Sequence, residues 1–292
     1  NMSNDSPASR AAILLDEVMW PNQPLGRDIG GTRESVLGIT RETLLTYMGC
    51  QYVPSNVVVA VAGNISHSEV VETAENTLGR WKRGNPFEIH AAVDRQSEPN
   101  MGIEYRKTDQ AQMCVAVKGL SIHDPRRYAL ELLNTVLGGG MSSRLFLEMR
   151  EKRGLAYDVH SVTTHYQDCG DLAVFCGVDP KRVGDALSVI LEQLAYLREG
   201  VTIQELQKAK EMLKGRLLLR MEDTRAVSGW HGAQELLRNR IMTPEETVSK
   251  VEQVSEDDLK DLASDLFVTN KLNFALVGPL RSTGRIQKLL RL

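Results

Sequence analysis

The chain lacks a strong charge of either sign: 35 Lys and Arg stand against 38 Asp and Glu, a formal balance of −3 over 292 residues. A nucleic-acid or anionic-membrane surface, which would need a cationic excess, gets no support from that balance. No apolar run comes near the ~18 residues of a membrane span. The longest, Val57–Ala62, reads as a buried strand. Cysteine is scarce as well. Cys50, Cys114, Cys169 and Cys176 form no C-x-x-C pair, and three of them sit among apolar or strand-like neighbours. Reduced core thiols in a reducing, cytoplasmic setting are therefore expected. None of the histidines (His67, His90, His123, His160, His165, His231) belongs to an H-E-x-x-H or H-x-x-E-H pattern, so no zinc site is expected within the chain. No glycine-rich loop is followed by G-K-[ST], which removes a P-loop. Asn1–Ser9 is polar and has no signal-peptide core.

What is present is ordinary in bulk and unusual in arrangement. Apolar content of 42% and charged content of 25% suit a soluble protein of about two domains. The tail repeats an earlier stretch at a constant offset of 215 positions. Val36, Ile39, Thr40 and Leu44 correspond to Val251, Val254, Ser255 and Leu259; Tyr52, Val53, Ala60 and Gly63 correspond to Phe267, Val268, Ala275 and Gly278. No gap is needed, and each copy reads as a capped helix, a turn, an apolar strand, a glycine and a final helix. The repeat unit is domain-sized, so the first copy lacks about its first hundred residues. The chain is expected to start inside a domain.

The expected organisation is a partial first domain over residues 1–83, a linker over 84–100 and a complete second domain over 101–292. Asn4-Asp5-Ser6-Pro7 caps a helix from Ala8 to about Val18, and a long loop rich in Pro and Gly follows. In the second domain, strands are expected at Gly102–Lys107, Gln112–Lys118, Ala156–Thr164 and Asp171–Val178. Helices are expected from Asp124 to Leu137, Ser143 to Arg153, Pro180 to Leu197 and Thr202 to Leu219. Strands in hairpin-like succession followed by a block of helices indicate an α+β fold, an antiparallel sheet with helices on one face.

Two stretches could carry chemistry. Gly138-Gly139-Gly140 followed by Ser142 and Ser143 resembles a phosphate-cradling loop only loosely, and reads first as a flexible helix end before a serine N-cap. Arg150, near a helix C-terminus, is followed by a glycine break at Gly154 and by Tyr157 at the start of a strand. A charged fork and a phenol meeting at a turn can both donate to a peptide carbonyl. The same residues also fit a dipole-complementing arginine and a packed tyrosine.

Together, Leu137–Phe146 and Met149–Tyr157 resemble the second-domain signature of the insulinase/pitrilysin-type zinc metallopeptidases, in particular the mitochondrial-processing-peptidase-like bacterial enzymes. Asp5-Ser6-Pro7, Pro24-Leu25-Gly26-Arg27, Gly31-Thr32, Ile39-Thr40, Tyr52–Asn56 and Ala62-Gly63-Asn64 resemble the later part of that family's first domain. Gln23 stands where many relatives carry histidine, a loop change with no expected effect on chemistry. The resemblance implies two homologous α+β domains and a zinc site of the H-x-x-E-H type. Its last glutamate ligand falls before the Asp5-Ser6-Pro7 turn, so the ligands are expected upstream of Asn1.

The resemblance also implies that Arg150 and Tyr157 reach the scissile region of a bound peptide and help stabilise the tetrahedral intermediate. Gly138, Gly139 and Gly140 are then candidates for the peptide-binding wall. The implied function is the C-terminal portion of a zinc-dependent metalloendopeptidase acting on peptides or unstructured segments, inactive alone. The other reading is a non-catalytic peptide-binding or assembly subunit. Expected partners are a peptide substrate, the zinc-bearing N-terminal region, and a second copy of the chain forming a homodimer over apolar surface left open by the incomplete domain. Neither nucleic acid nor membrane is expected.

Overall fold

Pro7 occupies the first helical position behind Ser6, whose hydroxyl accepts the Ser9 N–H, and the resulting helix runs to Met19. The computed structural model describes residues 6–281 and 284–292; Asn4 and Asp5, expected in this capping turn, lie outside them. In chain order the first elements are α1 (Pro7–Met19), α2 (Arg33–Gly38), α3 (Arg41–Gln51), α4 (His67–Leu78), β1 (Asn100–Tyr105) and β2 (Ala111–Lys118). Next come α5 (Arg127–Gly138), a π-helix (Phe146–Lys152), β3 (Ala156–His165), β4 (Gly170–Val178), α6 (Val183–Glu199) and α7 (Ile203–Arg220). The rest is α8 (Thr224–Arg238), α9 (Pro244–Glu252), α10 (Glu256–Leu266), β5 (Leu272–Gly278) and α11 (Gly284–Leu289).

The chain divides into two units, one of Asn1–Asp28, Ala91–Leu213 and Ser249–Leu292, the other of Ile29–His90 and Lys214–Val248. The first unit holds a five-stranded sheet in the order β1-β5-β2-β4-β3. Its pairs are antiparallel except at one edge, where β1 runs parallel to β5 from Asn100↔Asn273 to Tyr105↔Gly278. Side chains alternate across the sheet. Met113, Val115, Leu172, Val174, Phe274 and Leu276 face α5, α6 and α10, making the main core. The opposite face shows Cys114, Ala116, Ala173 and Ala275, small enough to admit α1 through Ala11, Leu15 and Met19. Burying each of the two larger of these side chains is worth about 1.5–3 kcal/mol. Helices therefore crowd one face, as expected, and a single early helix covers part of the other.

That helix carries an electrostatic cost. Asp171 on β4 is 8% exposed, and burial, with Asp16 of α1 adding repulsion, pushes its carboxyl up to about 7. Residues 91–100 run along the same unit as a hydrogen-bonded strap. The Gln23 side chain bonds both backbone groups of Val93, at 2.7 and 3.0 Å. Asp94 takes the Lys118 ammonium at 2.6 Å, and Gln96 donates to the Leu272 carbonyl at 2.9 Å.

The second unit preserves the repeat in its backbone. α3 and α10 are displaced by 215 positions at both ends, and the following short turns, Pro54–Asn56 and Thr269–Lys271, keep that displacement. Their N-caps, Thr40 and Ser255, both have φ −96°, and the closing residues Tyr52 and Phe267 have φ −88° and −87°. Burial is inverted, however. Tyr52, Val59 and Val61 are 55%, 55% and 53% exposed, whereas Phe267, Phe274 and Leu276 are fully buried. The expected strand Val57–Ala62 belongs to no strand among the described residues. The reason is pairing: the equivalent β5 lies between β1 and β2, and among the described residues no such neighbours hydrogen-bond residues 57–62. Elsewhere in this unit Gln234 clamps Met242, accepting its N–H at 3.1 Å and donating to its carbonyl at 3.2 Å.

Candidate functional site

The motif residues gather where α5 ends, the π-helix turns and β3 begins. Gly138 closes α5 directly beneath β3. A Cβ there would lie 2.5 Å from the Ser161 hydroxyl and 2.6 Å from its backbone nitrogen. Glycine is needed for helix and strand to approach this closely. Gly139 is the C-cap, its N–H bonded to the Thr135 carbonyl, and the Gly140 carbonyl accepts the Ser143 N–H at 3.0 Å. These bonds account for Gly138 and Gly139 by helix-end packing.

Arg144 then anchors the start of the π-helix. Its guanidinium grips Glu205 with bonds of 2.7 and 2.8 Å and also donates to the Gly200 carbonyl at 3.2 Å. This fork, helped by the Thr202 cap bonds, pulls the Glu205 carboxyl down to about 2.

The expected helix from Ser143 to Arg153 is a π-helix over Phe146–Lys152, closed by the Arg153 N–H on the Glu148 carbonyl. The wider turn brings Arg150 over the Phe146 ring, at 4.9 Å from its centroid. Gly154, at φ +53°, ends the element in the left-handed region. The chain then enters β3, where a register shift between Ala156 and Val159 leaves both Tyr157 and Asp158 on the open side. The Tyr157 ring also lies against Arg150, its centroid 4.4 Å from the guanidinium carbon, and the guanidinium donates to the Tyr157 carbonyl at 3.2 Å. Arg150 thus contacts two aromatic rings, each contact worth about 0.5–1 kcal/mol at an exposed site.

Tyr157 itself is 77% exposed. Its hydroxyl and the remaining guanidinium N–H groups are donors held in place beside an edge strand, suited to a carbonyl oxygen or another anion-like acceptor. Arg150 and Tyr157 are brought together; Gly138–Gly140 lie at the helix end behind them. Phe146 was missed in the sequence, although its spacing four residues before Arg150 is the signal of a helical aromatic–cation pair.

Residues 38–213 match the family described as Peptidase M16 inactive domain. The chain belongs to the peptidase M16 family. It is 34% identical over 287 residues to a protein of Streptomyces coelicolor named an uncharacterized zinc protease, covering 96% of this chain and 62% of that one. A Bacillus subtilis protein of the same description is 35% identical over 283 residues, covering 95% and 67%. The chain therefore spans roughly two thirds of the length of these M16 relatives. Among solved structures, the peptidase M16 inactive domain from Pseudomonas fluorescens superposes with a TM-score of 0.88 at 24% identity, over 96% of this chain and 67% of that one. A chain of Complex III2 from Candida albicans gives 0.89 at 19% identity, over 100% and 72%. At those identities the likeness shows the M16 fold alone.

Among the described residues no three His, Cys, Asp or Glu side chains converge in a way that could hold a metal. That donor set does not fit zinc. No helix among them is long and apolar enough to cross a membrane.

Proposed function

We propose that this chain is the substrate-holding portion of a zinc-dependent metalloendopeptidase, with Arg150 and Tyr157 as the residues that touch the peptide. The observation that carries this reading is the pair of ring contacts on Arg150, which hold a half-buried guanidinium beside an exposed phenol. Such preorganised donors act on charge that develops on a carbonyl oxygen during peptide cleavage. The relatives named zinc proteases support a protease parent. The zinc ligands belong to a region outside these residues, upstream in the parent protein. On the same reading, residues 1–83 are part of a first domain, residues 84–100 link the halves, and 101–292 form the second. The exposed apolar residues of the first repeat support this, because their counterparts are buried by β1 and β2. Free thiols at all four cysteines suit a cytoplasmic setting.

A non-catalytic role in an assembly is the second reading. It is favoured by the family's description as an inactive domain and by the fold shared with a Complex III2 chain.

Tyr157→Phe in the protein joined to its zinc-bearing region separates the two. Loss of one transition-state donor is expected to lower kcat about a hundredfold, with zinc content and thermal stability unchanged. Full activity of this variant would remove Tyr157 from the chemistry.

A further inference from the structure

A groove of about 660 Å³ lies between the π-helix and the last two turns of α6. Leu147 and Lys152 form one wall; Gln193, Tyr196 and Glu199 form the other. The charges at its mouth are mostly committed. Arg144 is held by Glu205, and Lys152 by Glu148 at 2.6 Å. Three groups remain. Gln193 is 5% exposed, yet its amide makes no hydrogen bond among the described residues and borders the groove. Among the described residues Glu199 has no ion-pair or hydrogen-bonding partner, and Tyr196 is half exposed with no hydrogen bond to its hydroxyl.

The balance of these groups is anionic and rich in acceptors. Glu199 sits on the final turn of α6, whose end carbonyl at Gly200 already takes the Arg144 guanidinium, so the Glu199 carboxylate is the acceptor left for a cation. The Tyr196 ring offers a face to a cation. Gln193 differs: its amide both donates and accepts, the complement of a peptide unit. Positions 193, 196 and 199 follow one another at i, i+3 spacing, so each neighbours the next on the helix surface. Gln193 and Glu199 are about 9 Å apart along the axis, the span of two to three extended residues.

We propose that this groove binds the amino-terminal end of a peptide, its ammonium at Glu199 and an early peptide unit at Gln193. A lysine side chain would bring the same ammonium on a longer, flexible stem, and the lysine probe below separates the two. The ligand class agrees with the proposed peptidase role, but the groove uses neither Arg150 nor Tyr157 and its test reads binding alone, so the two readings fail separately.

The experiment follows amide NMR shifts of the full chain during titration with triglycine amide, with N-acetyl-triglycine amide, and with N-acetyl-lysine amide. Saturable shifts at Gln193, Tyr196 and Gly200 are expected with triglycine amide. Binding should be at least about tenfold weaker for both acetylated probes and for triglycine amide with Glu199→Gln, the loss of one charge-assisted contact. Glu199 is exposed, so its substitution leaves the fold intact. Equal binding of N-acetyl-triglycine amide, preference for the lysine probe, indifference to Glu199→Gln, or no saturation with triglycine amide would each overturn the proposal.

Discussion

Replacing Asp171 with Asn should make the sheet unit more stable at neutral and alkaline pH. Asp171 is nearly buried, and burial raises its pKa from 3.8 to about 7. The folded state thus prefers the neutral acid, and stability is lost as pH rises from the unfolded value through the folded one. A shift of about three units is worth about 4 kcal/mol once both states are ionised. Roughly 2–3 kcal/mol of this should disappear between pH 5 and pH 8. Asp16 is raised too, by burial and then by Glu17, but it is open to water on the rim of α1 and screened, so Asp171 carries the effect.

His165 contributes with the same sign. Burial pulls its pKa down, but attraction to Glu131 and the Leu120 carbonyl wins, leaving it raised. Its Nε2 lies 3.2 Å from Glu131, an ion-pair contact too skewed for a hydrogen bond. The stability it adds is present below its unfolded pKa and lost as pH rises through the folded one. Urea unfolding at pH 5 and pH 8 can be followed by Trp20 fluorescence, with Trp81 and Trp230 changed to Phe so that only the sheet unit reports. Asp171→Asn should flatten the pH dependence, the residual slope belonging to His165. An unchanged slope, or equal destabilisation at both pH values, would refute the reasoning.

Gly138→Ala should cost about 1–3 kcal/mol, since its methyl would press on the Ser161 backbone; an unchanged urea midpoint would contradict that close approach. Leu259→Ala should cost about 2–5 kcal/mol, whereas Leu44→Ala at the matching exposed position should stay within about 0.5. Similar losses at both sites would show that the two copies are packed alike. In the protein joined to its zinc-bearing region, Arg150→Lys should lower kcat, because lysine keeps the charge and loses the planar fork. Full activity would leave Arg150 with only its packing against Phe146 and Tyr157.

The strands of the sheet unit were legible because apolar alternation and glycine breaks are local signals, although Gly102–Lys107 is observed two positions earlier, at Asn100–Tyr105, and Ala156–Thr164 runs one residue further. The parallel edge was not legible, because pairing Asn100 with Asn273 is a decision between distant segments. Val57–Ala62 shows the same limit from the other side. Its β-branched residues favour an extended backbone, but ladder bonds require neighbours that composition cannot supply. Gly138 read as a helix end, and its tighter constraint came from β3, some twenty residues away in sequence. For the candidate site, Arg150 and Tyr157 were legible as a motif. The π-helical turn that sets Arg150 against two rings depends on the Gly154 bend and the β3 bulge acting together. Ala116, Ala173 and Ala275 looked like ordinary strand positions, so the docking face for α1 was hidden in plain composition.

The position of β5 in the sheet sets an order of events during synthesis. β1 pairs only with β5, and the two are separated by 173 positions. At about 5–20 residues per second, a ribosome leaves β1 without its strand for roughly 10–35 s. Meanwhile β2, β3 and β4 can already pair as a local antiparallel set, presenting an unfilled edge where β5 will enter. That waiting edge is the point at which a nascent chain of this protein is most exposed to mispairing with another chain. A chaperone that shields extended apolar segments should therefore matter most before Leu272 emerges.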